Sequence, residues 1–393
     1  MQRRSFLQGS GVISILLAGG IVWRAYDQGV FSAGEGRAYE PWQDWRSDPG
    51  TGPLALVHAA ILAASPHNTQ PWLFRVTDGR VELYADTRRN LGMFDPYLRE
   101  MYIGLGCAVE NMMLTAAAQG YKVELNLEPG VLTRIPERPE PVLAASLALT
   151  FGTAEKSSLQ QAIAQRHTNR AGYDMSRPLS PEILGKLANL AKDEPDVKLF
   201  LYAGETERKI VGDVLVEATK TIISDQQMEE DSQRWIRNRW PDVQKYRDGL
   251  TLDCLGLPRL MVAAAKIMPA MPAKTAGKYW LDQTREVHAI KSPLLGMIAV
   301  RDRYDRAQSL RAGRVWQRIH LWATTQSLGA QPVNQPVEVV DRQRTLNRAP
   351  QMAQALTEIT GDPAWQGTFG FRMGYPIANA PPSPRRPVED VIV

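Results

Sequence analysis

Residues 98–119, LREMYIGLGCAVENMMLTAAAQ, return in outline at residues 310–326, LRAGRVWQRIHLWATTQ. Gly106, Leu114, Ala116 and Gln119 stand at one constant separation from Gly313, Leu321, Ala323 and Gln326. Both stretches carry apolar residues at helical spacing, so four matches would mean little alone. The surroundings agree: each helix is followed by a glycine-containing turn and later by an apolar strand, expected over 142–151 and 369–373. This is an internal duplication, with residues 54–155 as one half and 156–393 as the other.

The halves are complementary. In the first, Ser65-Pro66-His67-Asn68-Thr69-Gln70-Pro71-Trp72 lies between an alanine-rich helix, 54–64, and a short strand, 73–76. The Ser-Pro pair stops the helix because the residue before proline is pushed out of the helical region. The amides of Asn68 and Gln70 suit a ligand with donors and acceptors along one edge, although a plain turn with Trp72 in the core accounts for the same residues. In the second half, helix 181–191 runs through Asp193-Glu194-Pro195 straight into strand 197–202, so the loop is missing. That half opens instead with helix 158–165 and Arg166-His167-Thr168-Asn169-Arg170. Two guanidiniums and a hydroxyl can grip a phosphate or a carbonyl edge; a solvated helix end is the competing reading.

Composition removes several function classes. A chain of 393 residues, 44% apolar and 22% charged, is globular and exceeds one typical domain. The net charge of +4 is small and dispersed, so no nucleic acid partner is expected. Cys107 and Cys254 make no disulfide framework, and the five histidines contain no i, i+4 pair, so no metal is expected. Gly104-Leu105-Gly106 lies within a helix and lacks the third glycine of a dinucleotide fingerprint. Neither a P-loop nor a nucleophile elbow occurs, and no side chain reads as a nucleophile.

At the amino terminus, Arg3-Arg4-Ser5-Phe6-Leu7 precedes an uncharged apolar run, 11–23, and residues 1–32 resemble a twin-arginine export signal or an N-terminal anchor. Export in folded form through the twin-arginine translocase implies a periplasmic or cell-envelope location, with anchoring to the inner membrane if the segment stays uncleaved. Residues 33–53 read as an extended arm. Between the long helices, an insertion at 224–278 begins charged and becomes rich in Leu, Met and Pro, either a core helix or a lid over a site. The tail Pro381-Pro382-Ser383-Pro384-Arg385-Arg386-Pro387 reads as a surface strap or a second phosphate clamp.

Taken together with Gly329-Ala330-Gln331-Pro332-Val333-Asn334-Gln335-Pro336, these motifs resemble the nitroreductase family of FMN-dependent oxidoreductases, and within it the two-halved Acg-type branch, over residues 50–393. The resemblance implies an α+β, nitroreductase-like fold: an internally duplicated pseudo-dimer with antiparallel-rich sheets flanked by helices. Ordinary members are homodimers in which an Arg-x-Ser/Thr-x-Arg segment and a Pro-Ser-x-x-Asn-x-Gln-Pro-Trp segment of different chains share one flavin. Both segments lie in this one chain, which implies one FMN per chain. By resemblance Arg166, Arg385 and Arg386 face the phosphate with His167 and Thr168 nearby, and Arg170 lies toward the N1/O2 edge. Ser65, Pro66, His67, Asn68 and Gln70 approach from the other half, and Pro332, Val333 and Asn334 lie by N5. Asn334 stands where many relatives have an acidic residue followed by glycine. The implied function is flavin-mediated reduction of a nitro, quinone or similar small-molecule acceptor, with a quinol, a redox protein or NAD(P)H as donor. The alternative is a flavin-sequestering protein with little NAD(P)H turnover.

Overall fold

Two antiparallel sheets share one strand order. In the computed structural model, which describes residues 20–393, the first sheet comprises β1 (Trp72–Thr77), β2 (Arg80–Asp86), β3 (Tyr121–Leu127) and β4 (Pro141–Phe151), ordered β1-β2-β4-β3. The second comprises β5 (Val197–Tyr202), β6 (Leu294–Val300), β7 (Gly329–Pro332) and β8 (Gln366–Gly374), ordered β5-β6-β8-β7. In each half a 20-residue helix separates the second strand from the third: Arg99–Ala118 and Arg306–Thr325. The fold is α+β, and the repeated topology is the duplication read from the helices.

The two long helices pack on each other about a pseudo-twofold axis. A Cβ on Gly106 would fall 2.0 Å from the carbonyl oxygen of Leu310, and one on Gly313 would fall 1.9 Å from that of Ile103. Leu310 follows Ile103 at the separation that takes Gly106 to Gly313, so each helix presents the same glycine to the same turn of the other. Leu105, Ala108, Leu310 and Ala312 beside them are fully buried.

The halves differ where their first two strands connect. Asp78-Gly79 closes β1 onto β2 in the two-residue hairpin such a pair favours. Between β5 and β6 the chain instead leaves the sheet at residue 203 and returns at 293. The inserted helices include Glu205–Ile223, Gln226–Gln233, Arg259–Ile267 and Ala273–Gln283. The insertion is therefore wider than 224–278.

The extended arm expected at 33–53 is helical. Pro41 lies in the first turn of helix Glu40–Ser47, where its missing N–H costs no hydrogen bond, and Trp42 and Trp45, three apart, bury one face. Trp42 Nε1 donates to Ser383 O at 2.8 Å and so pins the tail. The chain then ends alongside β1, with Phe74 N donating to Val391 O at 2.8 Å and Val393 N to Phe74 O at 2.9 Å. The last strand-like segment of the second half thus extends the sheet of the first. Arg3, Arg4 and most of the apolar run lie outside the described residues; its end, 20–23, opens a helix that continues to residue 27.

Candidate functional site

A cavity of about 1120 Å³ lies between the halves. Ser65, Pro66, His67 and Asn68 form one wall, and the long helix beside them makes room through Gly104, where a Cβ would fall 2.9 Å from Pro66 Cδ. His67, Asn68 and Gln70 have φ of 45°, 55° and 51°, a region that side chains disfavour. Hydrogen bonds hold the loop there. Asn68 Nδ2 donates to Pro384 O at 2.9 Å and to Gly249 O at 3.2 Å; Gln70 Nε2 donates to Arg247 O at 2.8 Å, and Gln70 Oε1 accepts from Arg386 N at 2.8 Å. These amides fasten the loop to the tail and the insertion, a structural use in line with the plain-turn alternative to a ligand edge. Gln70 does not line the cavity.

Arg166 and Arg385 do line it, each only 2% exposed. Arg166 Nη2 donates to Leu62 O at 3.0 Å, and Arg385 Nη2 to Ala63 O at 3.1 Å. The Nε of both has no partner, and among the described residues neither guanidinium has an ion pair. Burial pulls Arg166 down to about 10; burial and then the charge of Arg166 hold Arg385 well below its ordinary value. Two buried like charges with free donors call for an anion, since burying a charge without compensation is costly.

Thr168 and Arg170 line the same cavity, and Arg170 Nη1 donates to Cys254 O at 3.0 Å. His167 is turned away: its ring packs edge-on against Trp42 at 4.7 Å, and burial, then Arg166, keeps it neutral, down to about 3. His67 lies 3.0 Å from Ser232 Oγ of the insertion and is held down to about 4 by burial and then by Arg170. Arg386 also points elsewhere, donating to Gln70 O at 3.3 Å and to Asp390 O. The tail is thus a strap through Arg386, while Arg385 turns into the cavity.

Pro332 and Asn334 line the far side, with Val333 packed behind them. Val333 N donates to Gly370 O at 2.8 Å, and Asn334 Oδ1 accepts from Gly370 N at 2.9 Å, which fixes this turn to β8. Three neighbours were not singled out from sequence. Gln331 lines the cavity and accepts from buried Arg372 Nε at 2.6 Å. Glu338, one turn along the helix from Asn334, lines it together with Glu100. Burial and then Glu100 raise Glu338 well above the usual carboxylate range, and its Oε2 has no partner. Burial raises Glu100 as well, against the pull of Arg99. Charged residues within otherwise apolar elements, Arg372 in β8 and Glu100 in its helix, were the available signals.

The symmetry-related position is filled. The separation that takes Gly106 to Gly313 takes cavity-lining Gly104 and Cys107 to Arg311 and Arg314. Arg311 pairs with Asp196, and Arg314 pairs with Glu194 at 2.8 Å, both carboxylates standing where the loop is missing. Among the described residues these ion pairs occupy the position related by the pseudo-twofold to the loop wall of the cavity. Among the described residues no group of three or more His, Cys, Asp or Glu could hold a metal.

No family model matches the chain. It is 23% identical over 347 residues, 85% of this chain and 88% of the relative, to a protein named "Putative NAD(P)H nitroreductase" in Mycobacterium tuberculosis strains CDC 1551 and H37Rv. Among solved structures, it aligns with the FMN- and NADPH-dependent nitroreductase NfnB of sphigopyxis sp. strain HMH at TM-score 0.40 and 17% identity, covering 60% of this chain and 98% of that one. With NfnB of Mycobacterium smegmatis in complex with NADPH the TM-score is 0.37 and the identity 15%, covering 59% and 96%.

Proposed function

We propose that this chain is a nitroreductase-like oxidoreductase of the two-halved Acg type. It binds one FMN in the cavity between its halves and passes electrons to a nitro, quinone or similar small-molecule acceptor. One observation carries the reading: the unpartnered Nε atoms of buried Arg166 and Arg385 at the wall of a cavity large enough for a cofactor. Similarity to proteins named as putative NAD(P)H nitroreductases supports the oxidoreductase part of it.

FMN supplies two-electron redox chemistry when bound. Arg166 and Arg385 hold its phosphate through charge-assisted hydrogen bonds. Arg170 places positive charge in the same cavity, which stabilises negative charge on a reduced ring. The Pro332 to Asn334 turn, rigid through Gly370, shapes the wall against which a second planar molecule packs. Burial and Glu100 favour the protonated form of Glu338, whose Oε2 has no partner.

The chain is exported in folded form through the twin-arginine translocase to the cell envelope; Arg3 and Arg4 ahead of an apolar run support this. Met261, Met268 and Trp280 of the insertion line the cavity, which supports a lid role and gives the second reading, flavin sequestration with little NAD(P)H turnover, its basis.

Reconstitution with excess FMN, followed by release on denaturation, is expected to give one flavin per chain. A ratio near two, or no binding, would overturn the proposal. Mixing the holoprotein with NADPH and with dithionite separates the two readings: rapid bleaching by NADPH identifies an ordinary nitroreductase, whereas bleaching by dithionite alone identifies a covered flavin.

A further inference from the structure

The cavity opens through an apolar surface of unusual composition. Leu260 is 83% exposed, Met268 62%, Met271 53% and Met261 45%, all within helix Arg259–Ile267 and the Met-Pro connection that follows it. Three of these four, Met261, Met268 and Met271, also line the cavity, so its mouth passes between methionines that face outward.

The N-terminal helix extends the surface. Ile21, Val22, Trp23 (67% exposed) and Tyr26 stand free on it. Its other side is fastened to the same roof, with Arg24 Nε donating to Ile267 O and Lys266 Nζ donating to Gly29 O at 2.9 Å. Arg24 lines the cavity too.

The exposed charges among these side chains are basic: Arg259, Lys274 and Lys278 in 257–278 and Arg24 on the N-terminal helix. Lys266, by contrast, is buried and paired with Asp253 at 2.7 Å, and half-buried Asp27 follows Tyr26. Exposed Leu, Met and Trp rimmed by basic residues fit the interface of an anionic bilayer, where apolar side chains enter the acyl boundary and cations meet lipid headgroups. The occupant is also indicated by covalent continuity. Trp23 ends the apolar run that begins at Gly11, and residues 11–19 of that run lie beyond the described residues.

We infer that the roof formed by Leu260, Met261, Met268, Met271 and the Trp23 helix rests on an anionic membrane, and that the cavity mouth receives a lipophilic quinol from it. The quinol step rests on the flavin reading above; the membrane contact does not. In that step one quinol loses two electrons and two protons to become the quinone, and oxidised FMN takes up both pairs, so the exchange balances without another reductant.

Peroxide oxidation of methionine in the full-length holoprotein tests the contact directly, because thioether oxidation follows exposure. Vesicles of phosphatidylglycerol and phosphatidylethanolamine are expected to slow oxidation of Met268 and Met271 several-fold. Met175, 40% exposed outside the roof, is expected to be unaffected. An N-terminal segment that inserts alone would leave each of the three as reactive with vesicles as without them and overturn the proposal. So would protection without vesicles that grows with protein concentration, the mark of a second copy on this face. With a long-chain isoprenoid quinol in the vesicles, the wild-type flavin is expected to bleach at least tenfold faster than that of a Leu260→Ser, Met261→Ser, Met268→Ser, Met271→Ser variant. Each quinol rate is read relative to the same protein's rate with dithionite. Equal rates with the membrane quinol would overturn the delivery route. Methionine protection in a preparation that binds no flavin would leave the membrane contact standing while the flavin reading falls.

Discussion

Gly106 and Gly313 meet where the two long helices cross, a Cβ on the first falling 3.0 Å from the Cα of the second. This contact holds the halves together, because each glycine admits a carbonyl of the opposite helix at a distance no side chain allows. Gly106→Ala and Gly313→Ala are each expected to lower unfolding free energy by about 1–3 kcal/mol, the usual cost of forcing a methyl group into a packed interface. Gly185→Ala is the control. It lies in helix Pro181–Ala188 with nothing within 4 Å of an added Cβ, so it is expected to stabilise by about 0.5–1 kcal/mol. Denaturant titration measures all three, and equal effects would mean that the halves are not seated on this pair.

Phosphate recognition distinguishes the three arginines. Arg166→Ala and Arg385→Ala are each expected to weaken FMN binding by about 1.5–3 kcal/mol, roughly tenfold or more, as loss of a charge-assisted bond does. Arg386→Ala is expected to leave affinity nearly unchanged, since its guanidinium turns to Gln70 and Asp390. Riboflavin, which lacks the phosphate, should bind the intact chain far more weakly than FMN. Comparable affinities in fluorescence titration would place the phosphate elsewhere.

The duplication was legible because the long helices keep four positions in register and because glycine at their crossing cannot be replaced. The arginines of the cavity wall were legible as residue types, but which of the adjacent pair in the tail reaches the cavity was not. Arg385 and Arg386 are adjacent, and extended backbone sends neighbouring side chains to opposite sides; which one faces the cavity depends on how Trp42 pins Ser383. The arm at 33–53 misled because Gly, Pro and Asp dominate its local signal, whereas Trp42 and Trp45 form a helix only against a core that they help to cover. Glu338 went unnoticed because its environment is assembled from Glu100 in the other half.

Gln70 is expected to act on the cofactor without touching it. Its amide joins Arg247 of the insertion to Arg386 of the tail, and removing it leaves a part-buried acceptor, Arg247 O, and a part-buried donor, Arg386 N, unsatisfied, a loss of about 1–3 kcal/mol in stability. Gln70→Ala should therefore loosen the tail, seen as faster proteolysis near residues 381–387, and weaken FMN binding through Arg385. Tail proteolysis at the wild-type rate would refute this positioning role.

Glu338 gives the chain a pH dependence of definite sign. Its folded-state affinity for a proton lies well above the ordinary carboxylate value of 4.5, because burial and the neighbouring charge of Glu100 oppose ionisation. The unfolded chain releases this proton near pH 4.5 while the folded chain keeps it. The stability it contributes is thus complete below that pH and falls as pH rises, by up to about 1.4 kcal/mol per unit for one proton, until the folded group also ionises. Glu338→Gln mimics the neutral acid and has no proton to lose. Its unfolding free energy should decline less steeply than wild type between pH 5 and pH 8, so that the variant gains on the wild type as pH rises. Bound FMN contributes its own pH dependence, so the comparison is made on flavin-free protein by urea titration at each pH. Parallel curves would show that Glu338 is already ionised in the folded state and holds no proton in the cavity.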